Sequence, residues 1–501
     1  MGTSAEEILV RLRQLRQADA PTHGGRVLSY VYDSGRADLD ELAADAARLM
    51  QPVNGLDPTT FTSVAALERD VIGFARDLLG GDDSVVGSVT TGGTESCLLA
   101  VKTARDRWRA AGGSGTPRLV ALTTVHAAFQ KAAHLFDLEL DLIPVDPVRG
   151  TCDAATIVEH IDAQVALVVV SAPSYPFAAL DPVAEVAASC AEQGVSCHVD
   201  ACIGGWILPF WHDEAGAPLT PWDLRVPGVT SLSADLHKYG YAPKGVSVLL
   251  HRGRDRHRAQ FFATTRWPGY PVVNPTLLGS KSAGALAAAW AIIHALGAAG
   301  LADLADACAL ATTRLRATIG AIDGLRVVGE PVGPLLAVAV DDAVSADRRV
   351  DPHHWADHVR ERGWILQQQP GLVQDDGTTL PHTTHLTITP VTNTHIDELC
   401  DVLVGSADAV RGVPTVTARQ ALAALPVEGV RALADPSAPL PDSAASYAIL
   451  REIGLAGDTD EPDLPDRMAP FLALVEALPH PLTERLLTEL LARVVETPAA
   501  R

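Results

Sequence analysis

The sequence predicts an α/β fold in which a parallel sheet is covered by helices on both faces. Three observations carry that prediction. From about Phe61 onward, short apolar runs alternate with helical patterns. Those runs are apolar at nearly every position rather than at every second one, as strands buried on both faces require. The chain has 501 residues of which 47% are hydrophobic, enough for a large core and for more than one domain.

Taken in order, residues 1–60 read as a helical segment. It comprises an opening amphipathic helix, the connecting stretch THGGRVLSYVYDSG, and a second helix from about Asp38 to Met50. The next helix, SVAALERDVIGFARDLLG, ends in paired glycines suited to a C-cap. SVVGSVTT, RLVALTT, LDLIPV, VALVVVSAP and VSCHVDAC then read as strands. TESCLLAVKTARDRWRAAGG, HAAFQKAAHLF and DPVAEVAASCAEQG are the helices between them. After a helix near 282–296 a smaller α/β region is expected. Its strands are VVGEPVGPLLAVAVDD and HTTHLTITPV, and its helices HHWADHVRERG and HIDELCDVLVGSADAV. The Pro-, Ala- and Asp-rich stretch 412–466 reads as a loosely packed connection before a last helix, LTERLLTELLARVVE. The expected domains are residues 1–60, 61–296 and 297–501.

Composition narrows the function. A formal net charge of -22 repels polyanions, which argues against nucleic acid and anionic membrane surfaces as partners. No run of about 18 apolar residues lacks a charge or a Gly or Pro cluster, so no membrane span is expected. Seven cysteines without a paired C-x-x-C array fit reduced, packed thiols, a cytoplasmic location and no metal. Only five of the 39 basic residues are lysines: Lys102, Lys131, Lys238, Lys244 and Lys281. Arginine replaces lysine as a surface charge but not as a deprotonatable amine, so these five are the candidates for amine chemistry.

Four features fall at strand ends, where open α/β sheets bind ligands. TTGGTES (90–96) lies between strand and helix, so Gly93, Thr94 and Glu95 are candidates to cradle a phosphate on free helix-terminal N–H groups. His126 opens a helix, as a cap or as a ring stacked on an aromatic cofactor. Asp200 ends an apolar strand and calls for a cationic partner such as a protonated pyridine nitrogen. SLSADLHKYGYAPKG carries Lys238, a Schiff-base nucleophile whose pKa a desolvated pocket lowers. Lys244 follows as a second positive charge, able to depress Lys238 further or to bind an anionic group of the substrate. A phosphate cup, a ring stack, an acid for a ring nitrogen and an amine are together what pyridoxal 5′-phosphate (PLP) requires.

TTGGTES, HAAFQKAA, SAPSYPFAALDPV, HVDACIGG, SADLHKYGYAPKG and NPTLLGSK resemble the sphingosine-1-phosphate lyase branch of the group II PLP-dependent decarboxylase family. The resemblance implies a large fold-type-I, aspartate-aminotransferase-like PLP domain with a smaller C-terminal domain. It also implies a homodimer with its active site at the subunit interface. Lys238 would carry the cofactor, Asp200 would face the pyridine nitrogen, and His126 and Cys202 would lie on the two ring faces. Gly93, Thr94 and His237 would hold the phosphate, with Ser280 reaching it from the partner subunit, and Tyr32 matches an active-site tyrosine. Lys244 retains a substrate-phosphate position. Asn54-Gly55-Leu56-Asp57 stands where that branch has Asn-Pro-Leu-His, so Asp57 would repel a phosphate, and Ser29-Tyr30 replaces the Gly-Ala before the tyrosine.

The expected function is a PLP-dependent carbon–carbon lyase acting at Cα of an amine or amino acid. A retro-aldol aldehyde-lyase on a smaller or less anionic substrate leads. Amino-acid decarboxylation is the alternative. Transamination ranks third, since HTTHLTITP carries no arginine to clamp a carboxylate. A non-enzymatic scaffold ranks last, because both Lys238 and Asp200 are present.

Overall fold

A computed structural model describes residues 2–497, apart from 214, 417–419, 421–438, 454 and 456–466. Most of the expected 412–466 connection therefore lies outside the described residues. The chain divides into two units: 1–315 with returns at 329–336 and 387–397, and 316–328 with 337–386 and the chain from 398.

The first unit opens with α1 (Ala5–Arg16), α2 (Ala37–Met50) and α3 (Thr62–Leu78). Ser4 and Glu7 form a reciprocal capping box at the start of α1, satisfying donors that a helix start leaves free. Next come β1 (Val85–Thr90), α4 (Gly93–Ala110), β2 (Arg118–Leu122), α5 (Ala127–Phe136) and β3 (Glu139–Ile143). They are followed by α6 (Ala154–Val158), β4 (Val165–Ser171), α7 (Val183–Gln193), β5 (Ser196–Asp200), β6 (Ser231–Ala234) and β7 (Ser247–Arg252). The seven strands form one sheet in the order β1-β7-β6-β5-β4-β2-β3. All seven residues of β4 are buried, as a strand covered on both faces must be.

The sheet is mixed rather than wholly parallel: β7 runs antiparallel to both β1 and β6. No crossover helix separates β6 from β7, so the chain turns back through residues 235–246 and a parallel pairing is out of reach. That return carries Lys238 and Lys244.

The unit continues with α8 (Arg254–Gln260), the hairpin β8 (Phe262–Thr264) and β9 (Val272–Asn274), and α9 (Gly284–Gly320). The α9 helix is broken at Gly297, whose φ is +58°. Its sequence is apolar enough to match a membrane span by length and composition, contrary to the expectation from the sequence. Half of that stretch is buried, as in the core helix of a folded unit.

The second unit holds a four-stranded sheet in the order β10-β11-β15-β12. These are β10 (Leu325–Val327), β11 (Leu335–Val340), β12 (Gln367–Gln369) and β15 (Thr383–Thr387), with α10 (Pro352–Glu361) between β11 and β12. The small hairpin of β13 (Leu372–Val373) and β14 (Thr379–Leu380) precedes β15. Among the described residues, α11 (Ile396–Val410), α12 (Ser443–Glu452), α13 (Ala469–Ala477) and α14 (His480–Val495) follow. Asp357 of α10 accepts from the backbone N–H groups of Met468 and Ala469 and so caps the start of α13.

Candidate active site

The ends of β1, β5 and β6 open onto a cavity of about 550 Å³, bounded by the α4 N-terminus, the start of α5 and the 235–246 return. Gly93, Thr94, His126, Cys202, His237, Lys238 and Lys244 line it. Seven positions that lie far apart in the sequence thus meet in one space.

The α4 end is shaped as an anion cradle. Gly92 has φ +144° and leads into a helix whose first residue, Gly93, is buried. A Cβ at Gly93 would stand 2.6 Å from Asp235 Oδ2, so only glycine lets this turn approach so closely. Asp235 Oδ1 and His237 Nδ1 are buried with no hydrogen-bond partner among the described residues. The orphaned His237 Nδ1, which can donate, beside free helix N–H groups fits a phosphorylated ligand, whereas Asp235 Oδ1 accepts only and calls for a donor. Glu95 lines the cavity as well, beside Gly93 and Thr94. Its carboxylate accepts from Thr91 N and Oγ1 and from Leu277 N, tying the loop to the 275–283 segment.

Lys238 differs from expectation in its electrostatics. Its Nζ lies 3.1 Å from Asp235 Oδ2. Burial alone would lower its pKa, but Asp235, then Tyr32, Cys202 and Asp200, outweigh burial and raise it. Lys244 carries the lowered value instead, about 8, because partial desolvation and then the Lys238 charge disfavour its ammonium form. Lys244 Nζ donates to His237 O at 3.2 Å and stands 4.6 Å from the centre of the Tyr32 ring. Tyr32 also meets Tyr239 edge to face at 5.1 Å, and Tyr239 is fixed by donating its hydroxyl to Ile388 O. Tyr32 thus contacts Lys244 without itself lining the cavity.

Asp200 is buried, and burial would raise its pKa. His126, the Cys202 thiol and Lys238 outweigh that and hold it below the usual carboxylate range. It is therefore an anion at neutral pH. Behind it, His198 bridges Ser231 and Ser233, and burial lowers its pKa to about 4, so it stays neutral. His126 caps α5 through Nδ1, which accepts from Ala128 N, and still lines the cavity.

Three expected positions lie elsewhere in the same chain. Asn54 Oδ1 accepts from Leu56 N, and its backbone bridges Ser282, close in sequence to Ser280. Asp57 is exposed and accepts from Thr59 and Thr60, which lower its pKa to about 2. Ser280 is exposed. Asn54, Asp57, Ser280, Tyr32 and Asp200 are not among the residues lining this cavity. Asp235 and Cys97, which sequence reasoning passed over, do line it, as does Lys131, one of the five candidate lysines. The i,i+3 spacing of Asp235 to Lys238 was a usable signal; nothing in the local sequence marked Cys97.

Comparison with known proteins agrees with this geometry. The pyridoxal-dependent decarboxylase conserved domain matches residues 36–338, and a C-terminal HTH domain of pyridoxal-dependent enzymes matches 418–493. The sphingosine-1-phosphate lyase of Dictyostelium discoideum is 33% identical over 73% of this chain and 67% of its own length. That of Oryza sativa subsp. japonica is 31% identical over 82% and 74%. The structure of the Burkholderia pseudomallei sphingosine-1-phosphate lyase superposes with a TM-score of 0.75 at 32% identity, covering 82% of this chain and 92% of that one. The chain belongs to the pyridoxal-dependent decarboxylase family, with pyridoxal 5′-phosphate as its cofactor.

Proposed function

We propose that this PLP-dependent lyase cleaves the Cα–Cβ bond of a β-hydroxy amine, releasing an aldehyde, and that its substrate is smaller or less anionic than a long-chain phosphate ester. The observation that carries the reading is the cluster of Lys238, Lys244 and Tyr32 in a chain similar to sphingosine-1-phosphate lyases across most of its length. The α4 N-terminus with Gly93, Thr94 and His237 would hold the cofactor phosphate. His126 and Cys202 would bound the ring, and Lys238 would anchor it. When bound, PLP supplies an electron sink for the electrons released at Cα.

The chain's own groups do the rest. Asp200, kept ionised, holds a proton on a ring nitrogen. Tyr32 stays protonated, because burial outweighs the Lys238 charge, so its hydroxyl would relay the β-hydroxyl proton rather than take it as a base. Lys238 Nζ returns a proton to Cα. Lys244 orients an anionic group of the substrate.

Asp57 supports the smaller or less anionic substrate. It remains negative across the physiological range, where the resembling branch has a histidine. The same substitution supports amino-acid decarboxylation as the second reading. A homodimer is part of the proposal. Exposed Phe262, Trp267, Tyr270, Val273, Leu277 and Leu278 run along the segment that ends at Ser280, and α1 buries none of its residues.

The deciding experiment incubates the purified holoenzyme with β-hydroxy amines and with amino acids, and assays aldehyde and carbon dioxide separately. Aldehyde without carbon dioxide is expected. Carbon dioxide without aldehyde overturns the lead reading in favour of decarboxylation. In Asp57→His, turnover of a phosphorylated amino alcohol should improve, and no improvement removes Asp57 from substrate selection.

A further inference from the structure

Beneath the cavity lies a group that the proposed reaction does not use as a set. Cys97 of α4, and Cys202 and Asp200 at the end of β5, converge so that one ligand atom from each lies within 4.8 Å of the others. All three are buried, at 1%, 7% and 7% exposure. Cys202 Sγ donates to Ser233 Oγ at 3.3 Å, and Ser233 Oγ donates to Asp200 Oδ1 at 3.5 Å. Ser233 therefore orients both groups from behind, as outer partners do at metal sites.

Two sulfurs and one carboxylate oxygen, with the open cavity in front, match a zinc-type donor set of three protein ligands plus water. Tetrahedral Zn²⁺ needs such atoms about 3.6–3.8 Å apart, so closing the group asks for shifts of about 1 Å. We propose that Cys97, Cys202 and Asp200 bind one soft divalent cation of the Zn²⁺ class when the cofactor is absent. Binding turns two thiols into thiolates and releases two protons to solvent, while the oxidation state of the ion does not change. Asp200 and Cys202 are the positions assigned to the cofactor ring, so the ion and PLP exclude each other. That exclusion rests on the cofactor assignment; binding of the ion does not.

The test titrates the cofactor-stripped full-length chain with Cd²⁺ and follows thiolate-to-cadmium charge-transfer absorption in the ultraviolet. One Cd²⁺ per chain is expected, displaceable by Zn²⁺. Affinity should fall on the order of 100-fold in Cys97→Ser and clearly in Asp200→Asn. The hydrogen-bonded thiols Cys190 and Cys197 provide a control, and Cys190→Ser should keep the band. A second arm needs no substitution: chain with its cofactor locked onto Lys238 by borohydride should take up no ion. No band in the wild-type chain, a band that survives Cys97→Ser, or equal uptake by the locked chain overturns the proposal. A chain that shows the band yet never captures PLP supports the ion site and contradicts the cofactor assignment, so the two failures are distinguishable.

Discussion

Lys238 Nζ lies 3.1 Å from Asp235 Oδ2, one turn of chain earlier in the return from β6 to β7. The pair changes what the lysine must do before it can act as a nucleophile. A free amine attacks a carbonyl, and Asp235 stabilises the ammonium instead. Asp235→Asn removes the largest charge opposing burial, so the lysine pKa should drop. The cofactor-free variant should then capture PLP faster at neutral pH, with the midpoint of its pH–rate curve moved to lower pH. Stopped-flow absorbance of reconstitution measures this, and an unmoved midpoint would show that Asp235 does not control the amine.

Lys244 should give the enzyme an alkaline limit. Its ammonium is lost near pH 8, below the ordinary lysine range, because desolvation and Lys238 both oppose its charge. Attraction for an anionic substrate group is present while it is protonated and disappears as pH rises through that value. KM for anionic substrates should therefore climb above about pH 8, with kcat changed less. Lys244→Arg keeps the charge at every accessible pH and should flatten the rise. A KM profile identical in wild type and Lys244→Arg would sink the assignment.

Much of this site was legible because its chemistry falls on residues that composition makes rare or placement makes costly. Lys238 stood out in a chain with five lysines, and Asp200 because a carboxylate after a fully apolar strand needs a partner. The strand-helix alternation likewise marked the ends where ligands bind. The direction of β7 was not legible, since SVLLHR is equally apolar whether it runs parallel or antiparallel. Nor was the convergence of Cys97 and Cys202, which are brought together only when α4 packs over β5. Charge was the hardest to read. Burial and Asp235 act on Lys238 in opposite directions, and only a distance decides which prevails.

Tyr32 provides a test of the proton-transfer role. Its ring is held by Tyr239 at 5.1 Å and by Lys244 at 4.6 Å, so Tyr32→Phe keeps the packing and removes only the hydroxyl. A group that moves a proton in the rate-limiting step contributes about 10²–10⁴-fold. The variant should lose kcat in that range while its cofactor absorbance and PLP affinity stay unchanged. A variant that loses PLP instead would place Tyr32 in cofactor binding.

Asp181 makes a prediction about stability away from the chemistry. Its carboxyl is buried, accepts from Ser171 N at 2.7 Å and from Thr151 Oγ1 at 3.1 Å, and is pushed up to about 7 by desolvation. A carboxyl whose folded pKa lies above its unfolded value binds its proton more tightly when folded. The resulting stability is full below about pH 4 and is lost as pH rises through about 7. Three pKa units set an upper bound of about 4 kcal/mol on that loss. Asp181→Asn mimics the neutral form and cannot ionise. Its thermal midpoint relative to wild type should therefore rise between about pH 3 and about pH 8, each being about one unit beyond the titrating range. Equal pH dependence in the two proteins would mean that the Asp181 carboxyl titrates no differently when folded, and that its two hydrogen bonds already offset the cost of burying its charge.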